Sequence, residues 1–98
     1  MKITKVMNGK ELTVAIDDSL DTVTAPELDA ALKASFDDID SLVLDFRDLD
    51  YISSAGLRVL MNTHRVMSKK GGMKITNINE VIAEVFDVTG LTVVLNIV

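Results

Sequence analysis

Two adjacent hydroxyls, Ser53 and Ser54, sit in the run YISSAGLRVL, Tyr51 to Leu60, between an apolar strand-like segment and an apolar helix-like one. A polar pair at such a junction can cap a helix, act as a nucleophile, or accept a phosphate. A cap needs only a side-chain oxygen facing the first-turn amides and contributes about 1 kcal/mol. A nucleophile needs a general base within hydrogen-bond reach. The single histidine, His64, lies ten residues further along the same helix, almost three turns away, which argues against hydrolysis and against an enzyme. Phosphate has a physical rationale: a first-turn hydroxyl stands beside unpaired backbone N–H groups and the positive end of the helix dipole. The fold would tolerate the added charge, whereas a protein docked on that surface would meet repulsion and desolvation.

A second group with chemical potential is the acidic series Asp45, Asp48 and Asp50, with Asp17-Asp18 at another strand end. Carboxylates so placed can hold Mg²⁺ or take a phosphoryl group, as in the receiver domains of response regulators. The element order disagrees, because those domains carry the acidic pair after the first strand and the acceptor after the third parallel strand. Here SLVLDF is only the first strand after helix one, and no lysine stands near the last strand. A solvated acidic rim is therefore expected, with no metal and no cofactor.

The elements that position these residues belong to one domain, residues 1–98. A chain of 98 residues buries about two-thirds of its unfolded surface and can stand on a single core. Apolar residues form 48% of it and aromatics only 4%, so the core is aliphatic and leaves little room for a large pocket. The absence of cysteine excludes disulfides, thiolate metal sites and cysteine nucleophiles. A net charge of −5 argues against direct nucleic-acid binding, and the small basic cluster Arg65, Lys69 and Lys70 complements a helix end. Met1-Lys2-Ile3 leads into alternating residues rather than a signal-peptide core, and no apolar run reaches the roughly 20 residues of a membrane span, so a cytoplasmic location is expected.

Ile3 to Met7, Asn8-Gly9, and Leu12 to Ile16 read as a β-hairpin around an Asn-Gly turn. Thr24-Ala25-Pro26-Glu27 offers an N-cap threonine with Pro and Glu in the first turn of helix one, which ends near Asp37. Ser41 to Phe46 reads as a central strand covered on both faces. Helix two runs from about Ser54 to Lys69 and stops at Gly71-Gly72. Met73 to Ile78 is a strand, Asn79 caps a third helix to Val88, and Leu91 to Val98 is a last short strand. This order predicts an α/β fold: a small, mostly parallel mixed sheet of four to five strands with helices packed on it and an N-terminal hairpin. On helix two, Leu57, Leu60, Met61, His64 and Met67 form one stripe that should face the sheet. A second stripe, Val59, Thr63 and Val66, is either a wider buried face or an exposed docking surface.

Three segments, LDTVTAPEL, SLVLDFRDLDYISSAGLRVL and GGMKITNINEVIAEVFDVTGL, together closely resemble the STAS domains that act as bacterial anti-sigma factor antagonists. Gly56-Leu57 set the register and place Ser54 on the family's phosphorylated serine. Ser53 stands where the family usually has Asp, Ala55 at a position that varies, and Asp21 at an acidic loop position. The resemblance implies an anti-sigma factor with serine kinase activity as partner, and a serine phosphatase to reset the switch. It implies a partner surface built from Asp21, Thr22, Ser53, Ser54 and Ala55 at the helix start. Gly56, Arg58, Val59, Asn62, Thr63 and Val66 extend that surface along helix two. A STAS-type scaffold or ligand-binding module without a phosphorylation cycle is the competing reading.

Overall fold

The computed structural model describes residues 1–98. Strand β1 (Ile3–Asn8) turns into β2 (Glu11–Leu20) through Gly9 and Lys10, with Asn8 paired to Glu11. Gly9 alone takes a positive φ, +63°, which is the pattern of a turn with glycine at its first central position. Asn8 is therefore the last strand residue rather than part of the turn.

Helix α1 (Ala25–Lys33) ends before the expected Asp37, and a 3-10 turn at Phe36–Asp38 leads into β3 (Ser41–Ile52). Two lysines fasten the far end of this segment. Lys5 Nζ donates to Ala31 O and Ser35 Oγ at 2.7 Å each, and Lys70 Nζ donates to the carbonyls of Phe36 and Ile39. After β3 come α2 (Ser54–Met67), β4 (Met73–Thr76), α3 (Glu80–Thr89), a 3-10 turn at Leu91–Val93, and β5 (Asn96–Ile97). The sheet order is β1-β2-β3-β4-β5, antiparallel only at the opening hairpin, so β3 is central.

Alternating burial shows how the layers stack. Leu12, Val14 and Ile16 of β2, Leu42, Leu44 and Phe46 of β3, and Met73 and Ile75 of β4 are buried. They share one cluster with Leu28 and Leu32 of α1, Leu60 and Met67 of α2, and Ile82 and Phe86 of α3. The intervening Thr13, Val43 and Asp45 are only half-buried and Lys74 is exposed. The helices cover one face of the sheet and leave the other open, so β3 is not covered on both faces.

β3 also extends six residues past the expected Phe46. Its 12 residues run alongside the 10 of β2 by means of two register shifts, one between Ala15 and Asp17 and one between Asp18 and Ser19. Each shift inserts an extra residue in β3, bends the strand and breaks the two-residue alternation, so Leu49 and Ile52 are the next buried positions. The shifts carry β3 to a pairing of Ile52 with Leu20, directly before Ser53.

Candidate functional site at the start of helix two

The ends of β2 and β3 set the start of α2. Ser53 N donates to Leu20 O at 2.9 Å, and Ser53 O accepts from Leu57 N at 2.9 Å, which makes Ser53 the N-cap residue. Gly56 then faces inward and is buried. A Cβ at this position would lie 2.8 Å from Leu20 Cγ, 2.8 Å from Ile52 Cγ1 and 2.9 Å from Leu20 O. Glycine is needed here so that the helix can sit on the two strand ends. Gly56 therefore lies beneath the expected partner surface, turned toward the strand ends.

The two serines differ sharply. Ser53 has the extended backbone of an N-cap, φ −100° and ψ 177°, yet its side chain makes no capping bond, and its Oγ is buried without a partner. Ser54, the first helical residue, is exposed. Because no side chain caps the helix, the amides of Ser54, Ala55 and Gly56 have no acceptor in the chain. An anion attached to Ser54 Oγ would meet these donors and the positive end of the dipole.

Asp21 organises the loop beside this start. Its Oδ1 accepts from Val23 N at 2.9 Å and Thr24 N at 3.0 Å, while Asp21 N donates to Thr24 Oγ1 at 2.9 Å. Thr24 Oγ1 lies 2.6 Å from Ser19 O, to which it donates, and Ala25 N donates to Asp21 O at 2.8 Å. Asp21 and Thr24 thus bond reciprocally, and the helix entry is secured by Asp21 rather than by a capping bond from Thr24. Hydrogen bonds from the Thr24 backbone first, then Val23, hold the Asp21 carboxyl below the usual carboxylate range. That carboxylate is committed to the turn.

Along α2 the buried residues are Gly56, Val59, Leu60, Thr63 and Met67. Val59 is 8% exposed and Thr63 1%, so the stripe that could have been a docking surface is core, and Val66 is half-buried at its edge. Thr63 can be buried because its hydroxyl donates to Val59 O at 2.8 Å, leaving the methyl to pack. Leu57, Met61 and His64, expected beneath the helix, are half-buried on its flank. The small residues Gly56 and Thr63 let α2 settle on the strands and α1 by a face that hydrophobicity alone does not mark.

The opposite face of α2 presents Ser54, Arg58, Asn62 and Arg65 within about 80° of arc at 100° per residue. It borders two grooves. One is lined by Ser54, Leu57, Arg58, Met61, Asn62, Arg65, Thr89 and Leu91. The other, shared with α1, is lined by Thr22, Ala25, Pro26, Asp29, Ala55, Arg58, Val59 and Asn62. Of the expected surface, Thr22, Ser54, Ala55, Arg58 and Asn62 come together here, with the largely buried Val59 at the floor of the groove shared with α1. Leu57, Met61, Arg65, Thr89 and Leu91 of the first groove and Ala25, Pro26 and Asp29 of the second were missed, although Arg65 falls on the Ser54 face by helical spacing. His64 lies in a separate depression with Ser41, Ser68 and Lys74, about 15 Å from Ser54 at 1.5 Å per residue. The acidic series serves structure in part: Asp45 Oδ1 accepts from Arg47 N at 3.1 Å and Asn77 Nδ2 at 2.9 Å, and Asp17 Oδ1 accepts from Lys2 N at 2.6 Å.

The family model described as STAS domain matches residues 2–98. The chain belongs to the STAS domain family. It is 31% identical over 91 residues to the anti-sigma-B factor antagonist of Bacillus subtilis, covering 92% of this chain and 84% of that protein. Among solved structures, an anti-sigma factor antagonist from Mycobacterium paratuberculosis superimposes with a TM-score of 0.89 at 24% identity, covering 98% of this STAS domain and 83% of that chain. The phosphorylated form of the Bacillus cell fate determinant SpoIIAA gives 0.77 at 15% identity, covering 99% and 91%. These two likenesses establish the shared fold. No helix of this STAS domain is long and apolar enough to cross a membrane.

Proposed function

We propose that this STAS domain is a cytoplasmic anti-sigma factor antagonist working by partner switching. Its unmodified form binds an anti-sigma factor that is also a serine kinase, and so frees a sigma factor. The kinase transfers the γ-phosphoryl group of ATP to Ser54: the bond from phosphorus to the bridging oxygen breaks, ADP leaves, Ser54 Oγ gains the phosphorus and its proton departs. Release of the partner follows, and a serine phosphatase restores the hydroxyl. The observation that carries this reading is the contrast within the serine pair, an exposed Ser54 hydroxyl at an uncapped helix start beside a buried Ser53 hydroxyl.

Physical chemistry supports both halves of the switch. A phosphate adds about −1.5 to −2 charge, which the free amides and dipole of α2 accommodate within the domain. On the docked face the same charge meets repulsion and desolvation costing several kcal/mol, roughly a hundredfold or more in affinity. The role carried by the names of the Bacillus subtilis and Mycobacterium relatives agrees with this reading.

Incubation with the anti-sigma kinase of the same genome and ATP, followed by phosphosite mapping, tests it. Labelling is expected on the wild type and on Ser53→Ala and should vanish in Ser54→Ala. Undiminished labelling of Ser54→Ala would remove Ser54 from the switch. Tight binding with no labelling of the wild type would favour a scaffold module.

A further inference from the structure

Resting on the reading of Ser54 as the phosphorylated residue, we infer that Arg58 is the intramolecular counter-charge of the phosphate. Modification then removes a free cation from the docking face as well as adding an anion to it. Arg58 lies four residues after Ser54 on the same exposed face, and both line one groove. On a helix that spacing brings Cβ atoms to about 5–6 Å, and an acid N-terminal to its base at this spacing is the favourable orientation. A phosphoserine at position 54 takes the place of the acid.

Arg58 is available for the role. It makes no side-chain hydrogen bond, and the ion pair in the structure joins Lys33 to Asp29 at 2.9 Å. Residues Ser54 to Met67 include no acidic side chain, and Asp29 of α1, which lines a groove with Arg58, is paired with Lys33. Arg65, the other guanidinium in the groove, is bonded to Asn62 Oδ1 at 3.1 Å and lies eleven residues from Ser54, about 16 Å along the helix. A guanidinium presents a planar fork of donors that matches a phosphate face, which makes the pair bidentate and charge-assisted.

Position gives the pair its regulatory effect. Arg58 also lines the groove shared with α1, beside Thr22, Pro26 and Ala55. In the unmodified domain the guanidinium is free to meet an acidic side chain of the partner from either groove. Once drawn one turn back onto the phosphate, it no longer reaches into the α1 groove. A single modification at Ser54 therefore changes both grooves without any movement of the backbone.

Phosphoserine placed at position 54 of the full chain by codon suppression tests the pair without any kinase. The second ionisation of the phosphate, ordinarily near pH 6, is followed by ³¹P NMR. Arg58→Gln should raise that pKa by about 0.3–1 unit relative to the wild type, and Arg58→Lys should recover part of the shift. Identical titrations of the wild type and Arg58→Gln, within about 0.1 unit, would overturn the pair. The outcome is separate from the phosphosite reading, because kinase labelling of Ser54 can succeed while the titration shows no effect of Arg58, and the reverse.

Discussion

Helices α2 and α3 begin with nearly the same backbone and opposite chemistry. Ser53 (φ −100°, ψ 177°) and Asn79 (φ −87°, ψ 175°) are both extended N-cap residues that follow a strand. Asn79 Oδ1 accepts from Ile82 N at 2.8 Å, and its Nδ2 donates to Leu49 O at 3.1 Å and Asp50 O at 3.2 Å. That start is closed and tied to the sheet. Ser53 instead turns its hydroxyl inward to no partner, and the amides behind it stay free. The start of α2 thus leaves first-turn amides able to receive an acceptor from outside the chain, whereas the start of α3 does not. At α2 the proposed switch would fill that place with an anion on Ser54.

The comparison can be broken most forcefully at Gly56, whose tight seat holds the open start against Leu20 and Ile52. Gly56→Ala should cost roughly 2 kcal/mol through overpacking, or about 10 °C in Tm for a domain of this size, read by thermal melts. A melt unchanged from wild type would show that α2 is free to lift, and that its start is not fixed by the strand ends.

A smaller pair of effects sharpens the contrast itself. Asn79→Ala removes a cap and two bonds to the β3 backbone and should cost about 1–2 kcal/mol in urea unfolding. Ser53→Ala removes a hydroxyl with no bond to lose, and should stay within about 0.5 kcal/mol of wild type. Equal losses in the two variants would mean that Ser53 does cap α2.

Much of this was legible in the sequence, for identifiable reasons. The alternation on either side of Gly9 marks the hairpin, and Asn79 ahead of an apolar helical run marks a cap, because each signal is local. The second half of β3 was not legible. Its two register shifts replace the two-residue period with Leu49 and Ile52, three apart, and only the pairing with β2 reveals them as strand. The buried face of α2 was misjudged for a related reason. Helical spacing groups Leu57, Met61 and His64 with the apolar stripe, whereas close approach to Leu20 and Ile52 selects Gly56, and a hydrogen bond within the helix lets Thr63 go inside. At the site, residue type singled out the serine pair, but only the structure separates an exposed hydroxyl from a buried one.

The central claim is that the charge on Ser54 decides whether a partner docks. Titration calorimetry of the anti-sigma factor encoded in the same genome, against the unmodified chain and the chain carrying phosphoserine at position 54, tests it most directly. The expected result is tight binding of the unmodified chain and affinity at least about 100-fold weaker for the phosphorylated one, a difference of about 2.7 kcal/mol. Equal dissociation constants, with both forms folded by circular dichroism, would contradict it.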